Sequence, residues 1–211
     1  IDLNYIIFDA CYMSSIELLY ALRNSADYIV ASPAEIMAYG FPYSEIIPMI
    51  FEGGGSLIDI SEQFVDYYKN RYTGRYKCGA IAVIDCSELD NLALSVKAIY
   101  DAGVADFDIK KVQPLESLYT DHAYFDMMSY ISLAAPTPEL FNDFVEAFEK
   151  AVVYSNHTTS IYAELGSYPK GTGRAGYVSS VSPDGVISLC GVNCYIPRDY
   201  LPVTKSHWEQ T

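Results

Sequence analysis

The chain has 211 residues, 51% of them apolar, and a formal net charge of −14 from 13 Lys+Arg against 27 Asp+Glu. That suffices for one large domain, or one domain with an appendage, around a packed core. The acidic balance repels nucleic acid and anionic lipid, no Lys/Arg cluster offers a phosphate-binding patch, and no apolar run approaches the ~20 residues of a membrane span.

In chain order, Tyr5-Ile6-Ile7-Phe8 is a continuous apolar run, predicting a strand buried on both faces as in a parallel sheet. Asp9-Ala10-Cys11 follows at once, and Ser14-Ser15-Ile16-Glu17 has the spacing of a capping box opening a helix to about Arg23. Tyr28 to Ala31 predicts a second buried strand, Gly40-Phe41-Pro42-Tyr43 a turn, and Ser44 to Phe51 a short helix. Helical periodicity runs from Ile60 to Tyr72, and Ala80 to Ile84 predicts another buried strand. Ser87-Glu88-Leu89-Asp90 caps a helix running to about Ala102. The alternation predicts an α/β fold with a mostly parallel sheet.

After Asp101 the rhythm changes. A helix is expected in the Tyr124–Leu133 region, and Thr137-Pro138-Glu139 starts another that should reach about Val153. A β-rich tail follows at Ser160–Glu164, Gly176–Ser180 and Val186–Ile196. Residues 1–102 therefore read as one part and 103–211 as a helical and β extension. The chain opens on Ile1-Asp2-Leu3, without Met and already inside a strand-like pattern, which reads as a fragment or processed chain and leaves targeting open.

The five cysteines are Cys11, Cys78, Cys86, Cys190 and Cys194. No CxxC pair exists, and Cys190 and Cys194 lie four apart in the last expected strand, on one face. No further Cys or His stands at a zinc spacing, so buried apolar thiols are expected at all but one. Cys11 differs by its place. It follows a strand's carboxyl end, where α/β folds set their chemistry, and precedes a helix whose dipole would lower a thiol pKa. On position alone, a nucleophile and a buried structural cysteine both remain open.

The stretch from Ile6 to Glu17, an apolar strand ending in Asp9-Ala10-Cys11 with Ser-x-Glu beyond, closely resembles the nucleophile segment of the clostripain family of cysteine peptidases. Ala26 to Ser32 resembles that family's next strand, Gly40-Phe41-Pro42-Tyr43 its Gly-Trp-Pro-Tyr turn, and Cys190 to Pro197 its closing strand. The resemblance implies a caspase-like α/β/α sandwich and cleavage after Arg or Lys, by a Cys-His dyad. It makes Cys11 the nucleophile. Asp9 and Ala10 would line the S1 pocket, with Ser32 and Glu35 at its edge. It also implies secretion, or a place at the bacterial cell surface or periplasm.

The family's general base is a His followed by Gly on an earlier strand. The chain has only His122, His157 and His207, none before Cys11 and none followed by Gly. The base is therefore expected from a light chain, with this chain as the heavy chain; His122 is the weaker in-chain alternative. No cofactor is required, and calcium is possible at the acidic loop of Asp101, Asp106 and Asp108, which lacks an EF-hand pattern. The competing readings are a catalytically inactive module that binds basic peptides, and another thiol enzyme. The latter wants a Gly-x-Cys-x-Gly elbow, which is absent around Cys11.

Overall fold

The computed structural model describes residues 3–51, 55–73, 76–115, 124–159, 161–163, 176–178 and 189–196. Its main sheet has the order β1 (Leu3–Ile7), β2 (Ala26–Ala31), β3 (Ala80–Asp85), β5 (Val152–His157). Alternate residues of the inner strands face opposite layers. Ile29, Ala31, Ala82 and Ile84 pack on one side with α1 (Ile16–Leu22), α4 (Leu89–Ala102), α5 (Met127–Ala134) and α6 (Pro138–Ala151). Val30, Ile81 and Val83 pack on the other with α2 (Tyr43–Phe51) and α3 (Leu57–Arg71), through Ile46, Phe64, Val65 and Tyr68. This is the expected three-layer α/β/α arrangement. Each fully buried Phe, Ile or Val of these layers contributes about 1.5–3 kcal/mol by leaving water.

Strand direction departs from expectation. β1 and β2 are parallel, but β2–β3 and β3–β5 are antiparallel, so the described sheet is mixed rather than mostly parallel. The continuous apolar runs report burial on two faces, which helices on both sides impose whichever way a strand points. β1 is also less buried than its sequence suggests. It is an edge strand of the described sheet, with Leu3 43% and Tyr5 38% exposed.

β5 was hidden by the helical pattern before it. Thr137 caps α6 and Pro138 opens it as expected, but the helix stops at Ala151, where the N–H of Val152 bonds Phe148 O. The chain passes directly into β5, and the apolar pair Val152-Val153, read as the helix's last turn, belongs to a β-branched strand. The main sheet thus draws strands from both sides of residue 102.

β4 (Tyr124–Asp126) pairs antiparallel with β8 (Asn193–Tyr195), and β6 (Ile161–Ala163) with β7 (Gly176–Val178). Of the strand expected over 186–196, residues 186–188 lie outside the described residues, and within 189–196 only Asn193–Tyr195 is extended strand. Gly191, with φ +93°, breaks the extended run, so Cys190 lies outside the strand and the two-residue alternation that put it on one face with Cys194 does not apply.

Candidate active site

β1 and β2 are parallel, so the loops that follow them leave from one end of the sheet. Beyond the strands the two loops stay paired. The N–H of Phe8 donates to Val30 O (2.9 Å), that of Tyr12 to Ala34 O (3.0 Å), and that of Ser14 to Ser32 O (2.9 Å). Tyr12 takes a left-handed backbone, φ 58°, next to the candidate nucleophile. For a bulky L-residue this costs about 1–2 kcal/mol, held by the surrounding bonds. Its ring stacks on Tyr124 at 5.4 Å.

The 189–196 segment clamps this loop from below. Ser14 Oγ donates to Gly191 O (2.7 Å) and the N–H of Asn193 to Ser14 O (2.8 Å), while Asn193 Nδ2 donates to Pro33 O (2.8 Å). Ser14, Ser32 and Asn193 are wholly buried. Ser14 is therefore a tie to the 189–196 segment, not a helix cap. The N-cap is Ser15, whose Oγ accepts from the Leu18 N–H, and Glu17 Oε1 instead receives the Tyr195 N–H. Asp126, the buried cap of α5, accepts from the N–H groups of Ser129 and Cys190.

All five cysteines are free, and Cys11 is the exposed one. Burial pushes the Cys86 thiol to about 11 and holds Cys190 and Cys194 well above the ordinary range. Cys11 Sγ lies against Ile36, accepting its N–H at 3.4 Å and donating to its carbonyl at 3.6 Å. Its pKa is also raised. Burial around the sulfur is the largest cause, the Ile36 N–H opposes it, and the negative charges of Glu35 and Asp9 add to the rise. The expectation of a thiol acidified by a helix N-terminus is corrected here. α1 begins at Ile16, five residues on, and its first turn is capped by Ser15. The effects that set the thiol's pKa are burial, the backbone N–H groups of Ile36 and Cys11, and the charges of Glu35 and Asp9.

Asp9 is exposed and turns toward the loop after β2. Tyr43 OH donates to its Oδ2 at 2.6 Å, and the Phe41 N–H reaches the same oxygen at 3.5 Å. Gly40 adopts φ +65°, and a Cβ there would stand 2.6 Å from Asp9 Oδ2, so a side chain at this position would strain the backbone and push the carboxylate from its place. Tyr68, fully buried on α3, anchors the turn through its OH to Gly40 O at 2.8 Å. Ala10 is exposed between Asp9 and Cys11. Ser32 is buried, its hydroxyl closed on the backbone of Ala34, whereas Glu35 is half-buried beside the Cys11 sulfur. Cys11, Asp9 and Glu35 thus gather around the 35–43 loop, while the Ser32 hydroxyl turns inward to that loop's base. Gly40, Phe41 and Tyr43 were legible as a turn, but nothing in their spacing tied them to Asp9.

His157 ends β5, its Nδ1 on Thr158 O at 2.8 Å. His122 and His207 lie outside the described residues. Among the described residues, the groups that meet the Cys11 sulfur by hydrogen bond or charge are Ile36, Glu35, Asp9 and the backbone of Cys11 itself. Among the described residues no cluster of three His, Cys, Asp or Glu is arranged to hold a metal ion, and no helix is long and apolar enough to cross a membrane.

The clostripain family model matches residues 1–197. The chain belongs to the clostripain family. A clostripain from Bacteroides thetaiotaomicron, solved with the peptide inhibitor BTN-VLTK-AOMK, is 33% identical; the match has a TM-score of 0.80 and covers 98% of this chain and 84% of that one. A secreted C11 cysteine protease from the same species is 33% identical at a TM-score of 0.81, covering 100% of this chain but 54% of its own length. An inactive zymogen C11 protease from Parabacteroides distasonis is 31% identical at 0.81, over 98% of this chain and 56% of that one. This clostripain-family chain therefore spans little more than half of two of these relatives. Comparison with curated proteins gives no match.

Proposed function

We propose that this chain is the nucleophile-bearing part of a cysteine endopeptidase that cleaves after Lys or Arg. The observation that carries the reading is that Cys11, the exposed one of five thiols, shares one short loop with Asp9, both facing the 35–43 loop. Cys11 Sγ is the nucleophile, and the Asp9 carboxylate receives the P1 cation.

The raised thiol sets a requirement. Burial, then Glu35 and Asp9, oppose ionisation, so a base must take the Sγ proton as the sulfur attacks the scissile carbonyl. An imidazole on a light chain supplies it in this reading. The resulting imidazolium returns the proton to the leaving amine, and water then hydrolyses the acyl-enzyme by the same base. No cofactor enters these steps. The net charge of −14 draws basic peptides toward the site. The inhibitor bound by the Bacteroides thetaiotaomicron relative ends its peptide in Lys, which supports a basic P1 here. A secreted relative supports secretion, or the cell surface or periplasm.

The second reading, a module that binds basic peptides without cutting them, draws support from the same unactivated thiol. Fluorogenic peptides with Arg, Lys or a neutral P1 residue, assayed on the assembled wild type, Cys11→Ala and Asp9→Asn, separate the two. Cys11→Ala should abolish turnover on every peptide, and Asp9→Asn should erase the preference for basic P1. Turnover that survives Cys11→Ala sinks the peptidase reading. Basic peptides that bind wild type and Cys11→Ala alike, with no cleavage by either, favour the module.

A further inference from the structure

The two oxygens of Asp9 are not equivalent. Oδ2 is held by the Tyr43 hydroxyl at 2.6 Å and the Phe41 N–H at 3.5 Å. Gly40 abuts the same side, its missing Cβ leaving just the room the oxygen occupies. Oδ1 has no hydrogen-bond partner among the described residues, so one oxygen stays free for a ligand. The Tyr43 ring is half exposed, at 50%, and its phenol is pushed up to about 12, chiefly by its bond to Asp9. It therefore stays protonated, a donor, through the neutral range.

An Arg guanidinium gains most from a carboxylate when its fork meets both oxygens; a Lys ammonium is a point charge satisfied by one. We propose that Tyr43 is a specificity-determining positioning residue, which occupies one oxygen of Asp9 and so levels Arg and Lys at P1. This rests on the reading of Asp9 as the P1 carboxylate and adds a second determinant to it. Phe in place of Tyr43 keeps the ring and frees Oδ2, leaving only the long Phe41 contact, and the guanidinium fork then reaches both oxygens. The exposed ring makes that change mild for the fold.

The test is the ratio of Arg to Lys kcat/KM on matched peptides, for the assembled wild type, Tyr43→Phe and Asp9→Asn. Kd values of the matched product peptides on the assembled Cys11→Ala protein, with and without Tyr43→Phe, give the same ratio without turnover. Wild type should favour neither residue by more than about threefold. Tyr43→Phe should raise the Arg:Lys ratio about tenfold, the increment of one further charge-assisted hydrogen bond, whatever happens to absolute rates. A structural role for Tyr43 would lower both substrates together and leave the ratio where it was. If Asp9→Asn removes the basic preference while Tyr43→Phe leaves the ratio unchanged, Tyr43 is overturned and Asp9 stands. If Asp9→Asn keeps the basic preference, the P1 reading fails and this inference with it. Tyr43→Leu, which also lacks the hydroxyl, carries the same expectation should the Phe variant misfold.

Discussion

Gly191 lies beneath the nucleophile loop, and its replacement by Ala should be among the costlier single-methyl additions in this chain. Its φ is +93°, and a Cβ would stand 2.7 Å from Ser155 Cβ and 2.9 Å from Ala82 Cβ. Carbon atoms rest at about 3.5–4.0 Å. Both opposing atoms are Cβ atoms fixed to the backbones of β5 and β3, so no rotamer change relieves the overlap. The backbone term is about 1–2 kcal/mol, and overpacking adds about 1–3 kcal/mol, giving roughly 2–5 kcal/mol. At about 2–4 °C per kcal/mol for a chain of this size, Tm should fall by about 4–20 °C. Gly103→Ala is the matched control, since Gly103 has φ +89° with nothing within 4 Å of its would-be Cβ. It should lose only the backbone term. Calorimetry on the two variants isolates the packing contribution by difference. Equal losses would refute the reasoning, because they would mean that residue 191 is not seated between β3 and β5.

Two further outcomes are expected. With no base supplied, iodoacetamide labelling of Cys11 should accelerate with pH and inflect above the ordinary thiol value of 9.0, and Glu35→Gln should move the inflection down by removing a negative neighbour; mass-resolved kinetics showing an inflection near neutrality would contradict this. Asp126 is raised by burial, against the opposing N–H bonds of Cys190 and Ser129. The folded state therefore holds its proton more tightly than the unfolded one, and its contribution is full below the unfolded pKa and lost as pH rises through the folded pKa. Urea unfolding should show wild type losing ground to Asp126→Asn as pH rises above the unfolded aspartate value of 3.8, and gaining ground instead would show the hydrogen bonds outweighing burial.

Local signals carried most of the α/β framework. Tyr28–Ala31 of β2 and Ala80–Ile84 of β3 are unbroken apolar runs, and Thr137-Pro138 and the Leu89–Ala102 periodicity mark helices that form where expected. Strand direction was not legible, because burial on two faces leaves no trace of polarity. β5 was lost because Val152-Val153 continues the apolar rhythm of α6 into a strand. At the site, the position of Cys11 in the loop after β1 followed from the sequence, but its electrostatics did not. They depend on Glu35 and Ile36, 24 and 25 positions away, brought near by the pairing of two loops. The contacts of Asp9 with Phe41 and Tyr43, and of Ser14 with Gly191 and Asn193, are likewise tertiary and have no local sequence signature.

The most direct measurement is covalent capture. The assembled protein is treated with a peptidyl acyloxymethyl ketone ending in Lys, then read by intact mass and peptide mapping. One adduct, on Cys11, blocked by excess basic peptide and absent in Cys11→Ala, is the expected result. No adduct, or one on Cys78, Cys86, Cys190 or Cys194, would contradict the assignment of Cys11 as the nucleophile.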